Sequence, residues 1–115
     1  MAKLYFYYAS MNAGKSTTLL QADFNYRERG MQTMLWTAAL DDRAAGLPIA
    51  SRIGLEAQAH RFDASTDLWV QVMHTHSATP LNCVLIDEAQ FLTKQQVWQC
   101  ARLADKAGVP VLCYG

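Results

Sequence analysis

Long apolar runs are missing from this chain. No stretch reaches the ~18 consecutive apolar residues that a membrane-spanning helix needs. Met1-Ala2-Lys3 leads into the short segment Leu4-Tyr5-Phe6-Tyr7-Tyr8 rather than into a signal-peptide core. An excess of charge is missing too. Ten basic side chains balance ten acidic ones, which argues against a protein that coats nucleic acid. Cysteine is sparse: Cys83, Cys100 and Cys113 include no CxxC pair. An odd number without a pairing pattern fits reduced, buried thiols better than a disulfide framework, and it lacks the spacing of a zinc site. His74 and His76 stand two apart on a predicted helix and so point to different faces. There is no internal repeat and no low-complexity linker. With 115 residues the chain is one domain at most, large enough to bury roughly two-thirds of its unfolded surface. These absences predict a soluble, cytoplasmic domain with neither membrane nor nucleic acid among its partners.

What is present begins near the start. Ala9-Ser10-Met11-Asn12-Ala13-Gly14-Lys15-Ser16-Thr17 follows the apolar segment Leu4–Tyr8 and opens a helix-like stretch. Strand, loop ending in Gly-Lys-Ser, then helix is the context of a phosphate-binding loop. Such a loop aims free backbone N–H groups at one spot, at the positive end of the helix dipole. Lys15 can reach the β- and γ-phosphates of a nucleotide, and the Ser16 hydroxyl can ligate Mg²⁺. One departure is visible: Ala9 stands where the usual pattern has its first glycine. The plain alternative is an ordinary strand-to-helix turn with a surface lysine.

A second acidic motif completes the pattern. Asn82-Cys83-Val84-Leu85-Ile86 is a continuous apolar run of the kind seen in strands covered on both faces. It ends in Asp87-Glu88-Ala89-Gln90. Open α/β sheets place their chemistry at the carboxyl ends of their strands. In a phosphate-loop protein the first acid, Asp87, is the expected Mg²⁺ partner. Glu88 has no metal role forced on it and is free to accept a proton at neutral pH. A solvated acidic turn capping the next helix is the alternative.

Periodicity supplies the rest of the frame. Lys15–Arg29 reads as a helix with Leu19, Leu20 and Phe24 inward, stopped by Gly30, with Arg27 and Arg29 in its last turn. Thr33–Thr37 reads as a strand. Leu40 to Phe62 reads as loop with one short strand at most. Ser65 is the expected cap of a helix over Asp67–His76, with Leu68, Trp69, Val72, Met73 and His76 at helical spacing. Pro80 ends the connection to the Cys83–Ile86 strand. Thr93-x-x-Gln96 forms a capping box before Val97, Trp98, Ala101 and Ala104, and Gly108 stops that helix. Val109–Tyr114 is the last strand. Strands alternating with helices imply a parallel sheet covered on both faces. A chain ending on the carboxyl side of an apolar strand, where a site-shaping loop is expected, reads as a fragment or truncated product.

With these motifs in order, the chain resembles the N-terminal part of the cytosolic thymidine kinases, the type that includes the cellular vertebrate enzyme, and most of all the enterobacterial members. The matching text is LYFYYASMNAGKSTTLLQ, TAALDDR, SRIGL, CVLIDEAQFLTKQQV and VPVLCYG, spread over essentially all 115 residues. Bacterial relatives tolerate a non-glycine residue at the Ala9 position. The resemblance implies a RecA-like P-loop NTPase fold, an α/β three-layer core with a mainly parallel sheet, here C-terminally truncated. It implies transfer of the ATP γ-phosphoryl group, with Mg²⁺, to the 5′-hydroxyl of thymidine or deoxyuridine.

Residue by residue, the resemblance makes Ala9, Ser10, Met11, Asn12, Ala13, Gly14, Lys15 and Ser16 the phosphate loop. Asp87, Glu88, Ala89 and Gln90 become a second nucleotide-site segment, with Glu88 the proton acceptor. Met11 and Phe91 match positions lining the nucleoside pocket. Asp41 and Arg43 match a loop approaching phosphate, substrate or Mg²⁺. Met11 and Phe91 as plain core, and Asp41 with Arg43 as a solvated pair, are the alternatives. Family members continue past the position of Gly115 with a last core strand, a four-ligand structural zinc site and a loop closing over the base. They usually form homotetramers. Two other classes stay open on the sequence alone: a P-loop ATPase module, and a non-catalytic ATP-binding remnant.

Overall fold

The computed structural model describes residues 2–7, 15–39, 49–50, 56–57 and 59–115. Strand β1 (Leu4–Tyr7) is followed by helix α1 (Lys15–Glu28) and strand β2 (Thr33–Ala38). Strands β3 (Ile49–Ala50) and β4 (Glu56–Ala57) pair antiparallel as a separate ribbon. Then come β5 (His60–Phe62), α2 (Leu68–Ala78), β6 (Cys83–Asp87), a 3-10 turn (Ala89–Phe91), α3 (Lys94–Lys106) and β7 (Val111–Tyr114). Five strands form one sheet in the order β1-β7-β6-β2-β5, every neighbouring pair parallel.

Period-two alternation divides the core into two layers. Leu35, Leu85, Leu112 and Tyr114 face α1, where Leu19 and Leu20 pack on them. Met34, Trp36, Val84, Ile86, Val111 and Cys113 face the other way, against Leu68 and Val72 of α2 and Cys100 and Leu103 of α3. All five residues of β6 and all four of β7 are buried. Continuous apolar runs are therefore required in these central strands. The α/β three-layer expectation holds, and the last strand lies inside the sheet rather than at its edge.

Local signals explain the helix ends. Gly30 (φ 76°) and Gly108 (φ 69°) adopt left-handed backbone after α1 and α3, as the stop reading required. Both halves of the Thr93–Gln96 capping box form: the Gln96 N–H donates to Thr93 Oγ1 (3.1 Å) and the Thr93 N–H donates to Gln96 Oε1 (2.9 Å).

Several expectations are corrected. Phe24 is 52% exposed. The inward line of α1 runs through Leu19, Asp23 and Tyr26, which leaves Phe24 more than about 100° round the helix from it. On α3 the buried line is Gln96, Cys100, Leu103 and Ala104, and Trp98 is 66% exposed. In each helix a polar residue takes an inward position that hydrophobicity alone assigns elsewhere. The cap of α2 is Asp67, whose carboxylate accepts from the Val70 N–H (3.1 Å). Ser65 instead donates its N–H and hydroxyl to Asp63 in the preceding turn. The Leu40–Phe62 stretch, read as loop with one short strand, contains three short strands among its described residues. Tyr8, the expected end of the first strand, lies outside the described residues.

The three cysteines are free and buried, as their placement on apolar elements predicted. Burial pushes the Cys83 thiol up from 9.0 to about 11. The neighbouring Cys100 thiol, with burial, pushes Cys113 up as well. The folded state therefore keeps protons that the unfolded chain releases above pH 9. This contribution to stability is complete below about pH 9 and declines through pH 11. The urea midpoint is expected to fall between those values. A midpoint that is flat or rising across that range would contradict the assignment.

Candidate active site

All five strands of the parallel sheet end on one side, so their carboxyl ends form a common rim. On the α1 face this rim can be read across the register. Tyr7 pairs with Tyr114, and Tyr114 pairs with Asp87. Thr37 comes next, one residue beyond the Trp36–Ile86 pair of β2 and β6. Tyr7 and Tyr114 stack with ring centroids 5.0 Å apart. Burial, the largest influence, pushes the Tyr114 phenol up to about 12, so it stays protonated at neutral pH. Asp87 is 4% exposed and Thr37 is wholly buried.

Helix α1 is brought to this rim by its own packing. Thr33, at the start of β2, donates its hydroxyl to the buried carboxylate of Asp23. Arg27, one turn further along α1, places Nε 3.2 Å from the same carboxylate. That clasp fixes the middle of the helix over the amino end of the strand. Eight residues back from Asp23 is Lys15, a rise of about 12 Å. Four residues forward from Thr33 is Thr37, about 13 Å along the strand. The first turn of α1 therefore sits level with Thr37 and Asp87. A helix N-terminus presents unpaired N–H groups and the positive end of its dipole, both suited to an anion.

The turn after β6 is the most unusual piece of backbone. Glu88 has φ 57° and ψ 42°, the one positive-φ residue other than glycine among the described residues. The left-handed region disfavours a residue with a Cβ, and such strain concentrates where a site needs it. The Glu88 N–H donates to Asp87 Oδ1 (2.9 Å). Its carbonyl accepts from the Phe91 N–H (3.1 Å), and the Ala89 carbonyl accepts from the Leu92 N–H (3.0 Å). The chain turns sharply off the strand, leaving Asp87 buried and Glu88 partly accessible. Ala89 is buried, Gln90 is exposed, and Phe91 beside them is 52% exposed.

The expected site residues thus divide. Asp87, Glu88, Ala89, Gln90 and Phe91 gather at the end of β6, and Lys15 and Ser16 begin α1 at the same rim. Ala9, Ser10, Met11, Asn12, Ala13, Gly14, Asp41 and Arg43 lie outside the described residues. Sequence reading stopped short of Thr37, which it treated only as the end of a strand. Its register beside Asp87 is the signal that finds it.

A family model described as thymidine kinase matches residues 2–115. The chain belongs to the thymidine kinase family. It is 75% identical over 115 residues to a thymidine kinase of Novosphingobium aromaticivorans and 64% identical to one of Zymomonas mobilis. Identity to a thymidine kinase of Vibrio cholerae is 57%. Each match covers 100% of this chain and 60% of the relative, so the chain spans about three-fifths of the length of these curated relatives. The parallel sheet with helices on both faces is the P-loop-like α/β core of that family. Among the described residues no helix is long and apolar enough to cross a membrane.

Proposed function

We propose that the full-length protein carrying this chain is an ATP-dependent thymidine kinase, transferring the γ-phosphoryl group to the 5′-hydroxyl of thymidine or deoxyuridine. The observation that carries this reading is Glu88. It is held in left-handed backbone at the end of a buried strand, beside a buried Asp87 and level with the start of α1. Family membership supplies the reaction.

The residues divide the work. Phosphoryl transfer passes through a loose transition state, so the protein chiefly positions groups and neutralises charge. The segment Ala9–Ser16 holds the ATP phosphates on backbone N–H groups, and Lys15 offsets the charge on the β- and γ-oxygens. Ser16 and Asp87 hold Mg²⁺. The buried carboxylate of Asp87 is a hard oxygen donor of the kind that suits a divalent cation, with the buried Thr37 hydroxyl near it on the neighbouring strand. Bound there, Mg²⁺ supplies further neutralisation of the phosphate charge. Glu88 accepts the proton of the nucleoside 5′-hydroxyl. Met11 and Phe91 line the nucleoside pocket, with Arg43 among the substrate-binding residues, and the loop of Asp41 and Arg43 approaches the ATP phosphates or Mg²⁺. The assembly is a cytoplasmic homotetramer.

Transfer of label from γ-labelled ATP to thymidine by the full-length protein tests the reading. Labelled thymidine monophosphate is expected. Label released only as inorganic phosphate would replace the kinase with an ATPase. In the same preparation Lys15→Ala is expected to weaken ATP binding by about tenfold or more, because a charge-assisted contact is lost. An unchanged ATP dissociation constant would remove the phosphate-loop assignment.

A further inference from the structure

We propose that Thr37 is a further positioning residue of this site: its hydroxyl would hold a water in the shell of the divalent cation, beside the carboxylate of Asp87. The proposal rests on the metal reading of Asp87 given above and extends it to a residue on a neighbouring strand.

Three observations carry it. First, Thr37 is wholly buried, and its Oγ1 has no hydrogen-bond partner among the described residues. Burying an unpaired hydroxyl is unfavourable, and native interiors rarely keep one without a reason. Valine has nearly the same shape, suits a strand equally well and carries no such penalty. Second, Thr33 lies on the same face of the same strand and is fully engaged with Asp23. The two threonines are four residues apart and share the α1 layer. One closes the amino end of the strand and the other opens onto its carboxyl end. Third, the register sets Thr37 beside Asp87, and the length of α1 back from Asp23 brings the helix start to the same level. The other wholly orphaned donor of β2, Trp36 Nε1, belongs to the opposite layer and lies beside the His60 ring. Among the described residues Thr37 alone combines an unmet hydroxyl with the α1 side of the rim.

A hydroxyl at this place suits a bound water. It can donate one hydrogen bond and accept another. Mg²⁺ keeps several waters when it binds through one or two protein oxygens, and those waters need fixed partners. Thr37 therefore orients the coordination shell without entering it.

The test uses the full-length protein with Mn²⁺ as a paramagnetic probe for the cation, read by water-proton relaxation in the presence of ATP. Thr37→Val is expected to lower Mn²⁺ affinity about 3- to 10-fold, the loss of one hydrogen bond. ATP binding without metal should stay within about twofold. The melting temperature should hold or rise, because an unpaired buried hydroxyl is gone. Thr37→Ser should restore Mn²⁺ affinity. Thr37→Ala repeats the measurement if the valine is poorly accommodated. Asp87→Asn runs beside them. If Asp87→Asn loses Mn²⁺ affinity and Thr37→Val keeps it, the Thr37 role is overturned and the Asp87 reading survives. If Asp87→Asn keeps it, the metal assignment falls and the proposal with it. A lower melting temperature in Thr37→Val with unchanged Mn²⁺ affinity assigns the hydroxyl to structure alone and also overturns it.

Discussion

Glu88→Gln is expected to lower kcat of the full-length protein by about 10²- to 10⁴-fold, the range that a positioned general base contributes. ATP affinity should change by less than about twofold. Glutamine keeps the size and the hydrogen-bonding oxygen but cannot take up the proton of the nucleoside hydroxyl. A ground-state role for Glu88 would appear instead as a weakened dissociation constant with kcat intact. The backbone gives a second arm to the test. Glu88 sits at φ 57° and ψ 42°, a conformation that glycine adopts without penalty. Glu88→Gly should therefore raise stability, by about 1 kcal/mol, while removing turnover as completely as glutamine does. Strain that serves only to turn the chain would give a stable and active glycine variant. Near-normal turnover in either variant would remove Glu88 from the catalytic role.

The distribution of polar residues explains which parts of this fold were legible in the sequence. The central strands were plain because burial on both faces demands continuous apolar runs, and Cys83–Asp87 and Val111–Tyr114 obey that demand. Asp87 and Glu88 stood out because acids ending such a run mark the chemical side of a parallel sheet. The helices were harder. Asp23 and Gln96 are 4% and 1% exposed, and both lie on the inward line of their helices. A reading that turns apolar residues inward consequently rotated α1 toward Phe24. Thr37 escaped notice by the same logic, since a buried strand threonine looks like packing until its register beside Asp87 is known. Short strands such as His60–Phe62 gave no periodic signal at all, because three residues cannot display an alternation. They form through pairing with β2, a partner distant in sequence. The polar interior is thus where sequence reading failed, and it is also where the fold concentrates its specific contacts.

Gln96 shows what such a contact is worth. Its Oε1 accepts from the Thr93 N–H, and its Nε2 donates to the carbonyls of Asp63 (2.6 Å) and Thr66 (3.0 Å). One amide thereby caps α3 and clamps the turn between β5 and α2. Gln99 adds a parallel link, accepting from the Leu68 N–H at the start of α2 (2.9 Å). Gln96→Leu keeps an apolar body in the buried position but removes three hydrogen bonds. The turn residues Asp63 and Thr66 lie near solvent, so water can reach part of what is freed. Each bond then counts near the lower end of the usual range, about 1 kcal/mol. The expected loss is about 3 kcal/mol, or a melting temperature lower by about 10 °C, read by thermal unfolding of the full-length protein. Gln96→Glu separates hydrogen bonding from packing. It retains the oxygen that caps α3, yet its charge faces two carbonyl oxygens with no donor left between them. Glutamate should therefore destabilise at least as much as leucine at neutral pH and recover part of that loss in acid, where the carboxyl is protonated and can donate once. If both variants melt within a degree or two of the parent, the clamp contributes nothing to stability, and packing of Leu103 and Cys100 alone holds α3 to the sheet.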